Sequence, residues 1–86
     1  MGICQIDWKK SAVRELKRLD RAVIPRILDA VAALSRQPLP PGAVKLQGSQ
    51  RTYRIRVGNY RVIYDFYDAG LVIEVVRVRH RKDVYR

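Results

Sequence analysis

The residues best equipped for chemistry lie in the last third of the chain, where Arg54, Arg56, Arg61, Arg77, Arg79 and Arg81 recur among valines, isoleucines and tyrosines. A guanidinium offers a planar fork of donors that matches phosphate oxygens, and it stays charged at any accessible pH. In Tyr53-Arg54-Ile55-Arg56-Val57 a strand period of two places both arginines on one side and Tyr53, Ile55 and Val57 on the other. The Gly58-Asn59 turn then brings Arg61 onto the adjoining strand, and Arg77, Arg79 and Arg81 add charge from the last strand and its exit. Arginines converging on one sheet face make a phosphate site. The competing reading is a solvated strand face whose charge blocks edge aggregation, which accounts for one or two of these arginines more readily than for the set.

Arginine cannot act as a base, so proton transfer needs another group. His80 and Tyr85 are the candidates. A lone histidine at a strand end also serves as a structural hydrogen-bonding residue. Tyr85 works as a base only if neighbouring cations lower its pKa from about 10. Otherwise it stacks on a nucleobase or anchors the C-terminus to the core. No paired carboxylates, Ser-His-Asp arrangement or glycine-rich phosphate loop is present, and most hydrolase templates have nothing to attach to. Cys4, the only cysteine, reads as a small buried strand residue, and with His80 it is too little for a zinc site. Asp65, Asp68 and Glu74 read as ion-pair partners of the arginines rather than metal ligands. Neither a metal nor another cofactor is expected. RNA suits what remains, because its 2′-hydroxyl is a built-in nucleophile that needs only orientation, proton movement and charge stabilisation on the phosphate.

Overall charge points the same way. Eighteen Lys and Arg against eight Asp and Glu leave a formal charge of +10, a self-repulsion best tolerated beside a polyanion. No apolar run approaches the ~18 residues of a membrane span, and Met1 to Asp7 lacks the pattern of a secretion signal. Neither membrane association nor a small-molecule cofactor is expected, and the cytoplasm is the expected location.

The elements that must position these groups are legible in outline. A chain of 86 residues has room for one domain, residues 1–86, and its 48% hydrophobic content supports a core. Cys4 to Trp8 reads as a short strand, and Lys9 to Leu19 as a helix with Ala12, Leu16 and Leu19 at helical spacing. Asp20 is placed to cap a second helix whose face carries Val23, Ile24, Ile27, Leu28, Val31 and Leu34. Pro25 implies that this helix starts late or bends near its beginning. Gln37 to Gly42, with three prolines and a glycine, ends the helical hairpin. Tyr53–Val57, Tyr60–Tyr67 and Leu71–Val78 then read as three antiparallel strands joined by Gly58-Asn59 and Asp68-Ala69-Gly70. The expected architecture is α+β: an N-terminal strand, a two-helix hairpin, and an antiparallel sheet with helices on one face.

The run from Tyr53 to Tyr64, Val76-Arg77-Val78, and His80-Arg81-Lys82-Asp83-Val84-Tyr85 together resemble the RelE branch of the RelE/ParE toxins. Trp8, Leu16 and Leu19 stand where its members carry apolar residues. The resemblance implies a ribosome-dependent endoribonuclease that cuts mRNA in the A site through attack of a 2′-hydroxyl on the adjacent phosphate. It gives Arg54 and Arg56 the grip on the phosphate and Arg61 the stabilisation of transition-state charge. Arg81 falls in the segment that bears a second active-site arginine, and Tyr85 matches a tyrosine assigned to stacking or proton transfer. Arg77, Arg79 and His80 join the RNA-binding set. The implied partners are the ribosome with its mRNA and an acidic, RelB-like antitoxin. Two other readings stay open: a ParE-like inhibitor of DNA gyrase without nuclease activity, and a non-catalytic RNA- or ribosome-binding module.

Overall fold

The computed structural model describes residues 3–82, which form β1 (Gln5–Trp8), α1 (Lys10–Lys17), α2 (Ile24–Ala33), β2 (Val44–Lys45), β3 (Thr52–Val57), β4 (Tyr60–Tyr67) and β5 (Val72–His80). The strands make one sheet in the order β1-β5-β4-β3-β2. Strands β3 to β5 pair antiparallel, as the hairpin signals predict, and β2 adds antiparallel to β3, whereas β1 joins β5 in parallel, so the sheet is mixed. The parallel pair is possible because both helices lie in the connection between these strands, and such pairs need long crossovers. Strand β2 was not foreseen, since two residues are too few to display a period.

In α1 the buried residues are Ala12 and Leu16, and in α2 they are Ile27 and Val31, each pair four apart on one helical face. Leu34, just beyond α2, continues that face, whereas Leu28, expected on it, is largely exposed. Asp20 does not cap α2 with its side chain; the helix begins at Ile24, with Pro25 in the first turn where its missing N–H costs nothing. Asp20 instead accepts the N–H groups of Val23 and Ile24 at its backbone oxygen. Both helices pack on the sheet face that carries Ile55, Val62, Tyr64, Ile73, Val75 and Val78.

The alternation in β5 is broken at Val75-Val76, two consecutive apolar residues. The register absorbs this break: Ile63 pairs with Arg77 and Tyr64 with Val75, leaving Val76 as an extra residue between them. This bulge lets Val75 point into the core while Arg77 and Arg79 remain on the opposite face, where a regular ladder would reverse one of the two sets.

The β3–β4 turn depends on Gly58, at φ 60°, in the first central position of a two-residue loop. A Cβ there would also lie 2.9 Å from Arg26 Nη2. Gly58→Ala is expected to cost about 1–2 kcal/mol through the left-handed backbone. The flexible Arg26 side chain can move aside, so urea midpoints should show a penalty of this size and no more.

Candidate functional site

The register turns the sequence period into rows across the face opposite the helices. Arg56 of β3 is opposite Arg61 of β4, and Arg61 is opposite Arg79 of β5. One step along, Arg54, Ile63 and Arg77 form the next row. The first row adjoins the Gly58-Asn59 turn, whose Asn59 carbonyl accepts the N–H of Arg81 at 2.8 Å. Five arginines predicted to act together therefore share one face, and Arg81 is tied at its end.

Arg61, at 6% exposure, is the only buried charged residue among those described, and it lies between the exposed Arg56 and the half-buried Arg79. A guanidinium shielded from water interacts more strongly with an arriving anion than one in bulk solvent. Arg54 contributes a second feature of this kind. Its Nε is buried and has no hydrogen-bond partner among the described residues, leaving a donor for which an incoming oxygen is the natural acceptor.

The same face carries acid at its far end. Thr52, Asp65, Glu74 and Asp7 are successive partners across β3, β4, β5 and β1. Asp65 accepts a 2.6 Å hydrogen bond from Thr52 Oγ1, and Asp7 accepts one of 2.9 Å from Gln5 Nε2. The expectation that Asp65, Asp68 and Glu74 pair with arginines fails: none of them forms an ion pair among the described residues. The reason is strand position. Four residues separate the acidic row from the row of Arg61, about 13 Å along the strands. The face is thus divided into a cationic and an anionic end.

His80 lies off the arginine rows. Its partner across the ladder is Tyr60, on the helix-packed side, and the two rings meet edge to face with centroids 5.1 Å apart. Its Nδ1 accepts the N–H of Lys82 at 3.2 Å, and the ring borders a cleft of about 380 Å³ with Glu15, Arg18, Leu19, Val78 and Arg79. The period of two, carried forward from Arg77 and Arg79, already assigns His80 to the other side. Tyr85 lies outside the described residues.

Glu15 escaped the sequence reading. It accepts the Val78 N–H at 2.9 Å and approaches Arg79 Nε at 2.9 Å and Arg77 Nη1 at 3.5 Å. In the sequence it is one charged residue on an amphipathic helix, and helical spacing does not say which strand that helix meets.

Among the described residues no group of three His, Cys, Asp or Glu side chains is placed to hold a metal ion, and no helix is long and apolar enough to cross a membrane.

Comparison with known proteins agrees with this geometry. Residues 6–85 match the family model of the ParE toxin of type II toxin–antitoxin systems. Toxin RelG of Mycobacterium tuberculosis is 32% identical over 82 residues, spanning 94% of each chain. A putative RelE-like toxin protein of Escherichia coli is 33% identical over 85 residues, covering 94% of this chain and 88% of its own. In the crystal structure of the archaeal RelE–RelB complex from Pyrococcus horikoshii, a chain of 30% identity superposes with a TM-score of 0.82 over 92% of this chain and 96% of that one. With the family model matched over nearly its whole length and its relatives named RelE and RelG, this chain belongs to the RelE/ParE superfamily as a RelE-like toxin of a type II toxin–antitoxin system.

Proposed function

We propose that this toxin is a metal-independent endoribonuclease that cuts mRNA in the ribosomal A site and so halts translation in the cytoplasm. The observation that carries the reading is the row Arg56–Arg61–Arg79, with Arg61 buried at its centre. The 2′-hydroxyl attacks the adjacent phosphorus, the P–O5′ bond breaks, and the products are a 2′,3′-cyclic phosphate and a free 5′-hydroxyl. Charge accumulates on the non-bridging oxygens during this step. Arg61 is placed to meet it, and Arg54 and Arg56 to hold the phosphate; each such donor is typically worth ~10²–10³ in rate.

Asp65 and Glu74, about 13 Å along the strands, are too far from this row to move the reacting protons, which requires hydrogen-bond reach. That restriction, with the Glu15 carboxylate already engaged by the Val78 N–H and Arg79, favours Tyr85, or a group of the ribosome, in acid–base work. It also suits an enzyme that cuts only mRNA held by the ribosome. A cognate acidic antitoxin resembling RelB neutralises the arginine face. The likeness to a RelE–RelB complex and the formal charge of +10 support this partner.

The test is a translating extract with cleavage mapped by primer extension. Wild-type protein is expected to cut at ribosome-occupied codons, leaving cyclic phosphate ends, and Tyr85→Ala to slow cutting by about 10²-fold, as loss of a general acid or base does. Intact mRNA together with inhibited supercoiling by purified gyrase would replace this reading with that of a gyrase inhibitor.

A further inference from the structure

β1 accompanies β5 only as far as the pair Trp8–Val75, so beyond that point the outer edge of β5 has no strand beside it among the described residues. Backbone groups on such an edge still need partners. Helix α1 lies along this stretch, and Glu15 supplies one: Val78 N–H donates to its Oε1 at 2.9 Å. The other carboxylate oxygen, Oε2, lies 2.9 Å from Arg79 Nε and 3.5 Å from Arg77 Nη1. The Nε–H is not aimed along the line to the oxygen, so the Arg79 contact is a close charge pair rather than a linear hydrogen bond.

A carboxylate pinned by a backbone amide is a fixed charge, and its location matters to the arginine face. Arg56, Arg61 and Arg79 occupy neighbouring positions on three adjacent strands, where like charges repel and push flexible side chains apart. Glu15 opposes that repulsion at one end of the row. It takes hold of Arg79 at the inner nitrogen of the guanidinium, and the two terminal amino groups have no partner among the described residues. Arg79 retains 34% side-chain exposure, enough for those amino groups to meet a ligand, whereas Glu15 is only 22% exposed.

We propose that Glu15 is a positioning residue of the arginine face, holding Arg79 by its Nε so that its terminal amino groups engage an RNA phosphate beside Arg61. This rests on the reading of the face as an RNA site. Glu15 touches no substrate itself and acts through Arg79. A purely structural Glu15 would only cap the β5 edge, and Glu15→Gln separates the two roles, because glutamine keeps an acceptor for Val78 N–H but has no charge.

The experiment compares wild type, Glu15→Gln, Arg79→Ala and the double variant in two assays. One is binding of a single-stranded RNA oligonucleotide over a range of salt, and the other is mRNA cutting in a translating extract. Arg79→Ala is expected to reduce the salt slope by ~0.7, one phosphate contact on a single strand. Glu15→Gln should weaken binding by roughly 3–5-fold, the scale of a partly exposed charge pair. The double variant should bind scarcely worse than Arg79→Ala alone, since without Arg79 only the longer 3.5 Å contact to the exposed Arg77 is left to Glu15. If Glu15→Gln does not fold, Glu15→Asp carries the same test: its shorter side chain draws the carboxylate away from Arg79 Nε, so it should weaken binding while Arg79 is present and leave the Arg79→Ala background unchanged.

Wild-type affinity or tighter binding in a folded Glu15→Gln overturns the proposal, as do effects that multiply in the double variant. For Glu15→Asp the overturning result is wild-type affinity, or equal weakening with and without Arg79. A wild-type protein that neither binds the oligonucleotide nor cuts mRNA removes the RNA reading itself. A wild type that cuts while Glu15→Gln behaves identically removes only the role of Glu15.

Discussion

Arg61→Ala is expected to lower the rate of mRNA cutting in a translating extract by about 10²–10³-fold, the largest loss of any single arginine on the face. The expectation follows from placement more than from charge. Arg61 lies on the central strand of the three that carry arginines, with Arg56 on one side and Arg79 on the other, and it alone of the three is buried. On the proposed reading its fork meets the growing phosphate charge, with little water to screen it. Arg61→Lys keeps the charge and loses the planar fork, so it should recover only part of the rate. Arg36→Ala removes the same formal charge from an exposed position past α2 and should change cutting by less than about twofold. Thermal melts of each variant separate lost chemistry from lost packing. An Arg61→Ala protein that melts like wild type and cuts within a few-fold of it would mean that Arg61 does not serve the reacting phosphate.

The arginine face was visible in the sequence because two local signals agree. A period of two decides which side each residue of β3 and β4 takes, and the two-residue loop at Gly58 fixes how those strands align, so Arg56 must meet Arg61. In β5 the reading was harder, since the apolar pair Val75-Val76 interrupts the alternation. The rows of Arg77 and Arg79 come into line only when that extra residue is taken as a bulge. The same alternation, followed to its end, separates His80 from Arg79, although proximity in sequence had grouped them.

What stayed hidden depends on contacts between distant segments. The pairing of β1 with β5 joins residues 67 positions apart, and no local pattern encodes it. Glu15 reads as one more charged residue on an amphipathic helix until α1 is seen to lie along the unpaired edge of β5. Asp20 shows the converse case, in which a residue of the right type for a side-chain cap was overruled by Pro25, which suits the first turn of a helix and moves its start to Ile24. Propensity names the candidates, and tertiary packing selects among them.

Tyr64→Ala is expected to destabilise the protein by about 3–5 kcal/mol, as truncation of a buried aromatic does. Against the roughly 4–13 kcal/mol available to a chain of this length, that loss is a large share of the total, and near the lower bound it leaves a substantial unfolded population. Tyr64 is fully buried, faces Tyr53 at 6.0 Å, and donates its hydroxyl to the Pro38 carbonyl at 2.6 Å, tying the proline-rich connector to the sheet. Tyr64→Phe removes only that hydroxyl and should cost about 1–3 kcal/mol, because the carbonyl loses its donor. The pair also predicts an alkaline signature. Burial, and secondarily the neighbouring Tyr53, push the Tyr64 pKa from 10.0 up to about 12. Below pH 10 both folded and unfolded states hold the proton. Between pH 10 and 12 the unfolded state gives it up first, so wild-type stability falls as pH rises, by at most about 2–3 kcal/mol from this group. Tyr64→Phe has no proton to lose there. Urea midpoints of the two proteins at pH 8 and pH 11 should therefore converge as the solution becomes alkaline, with the other tyrosines and the lysines contributing equally to both. Midpoints that remain a constant distance apart would show that the Tyr64 hydroxyl titrates alike in the folded and unfolded chains.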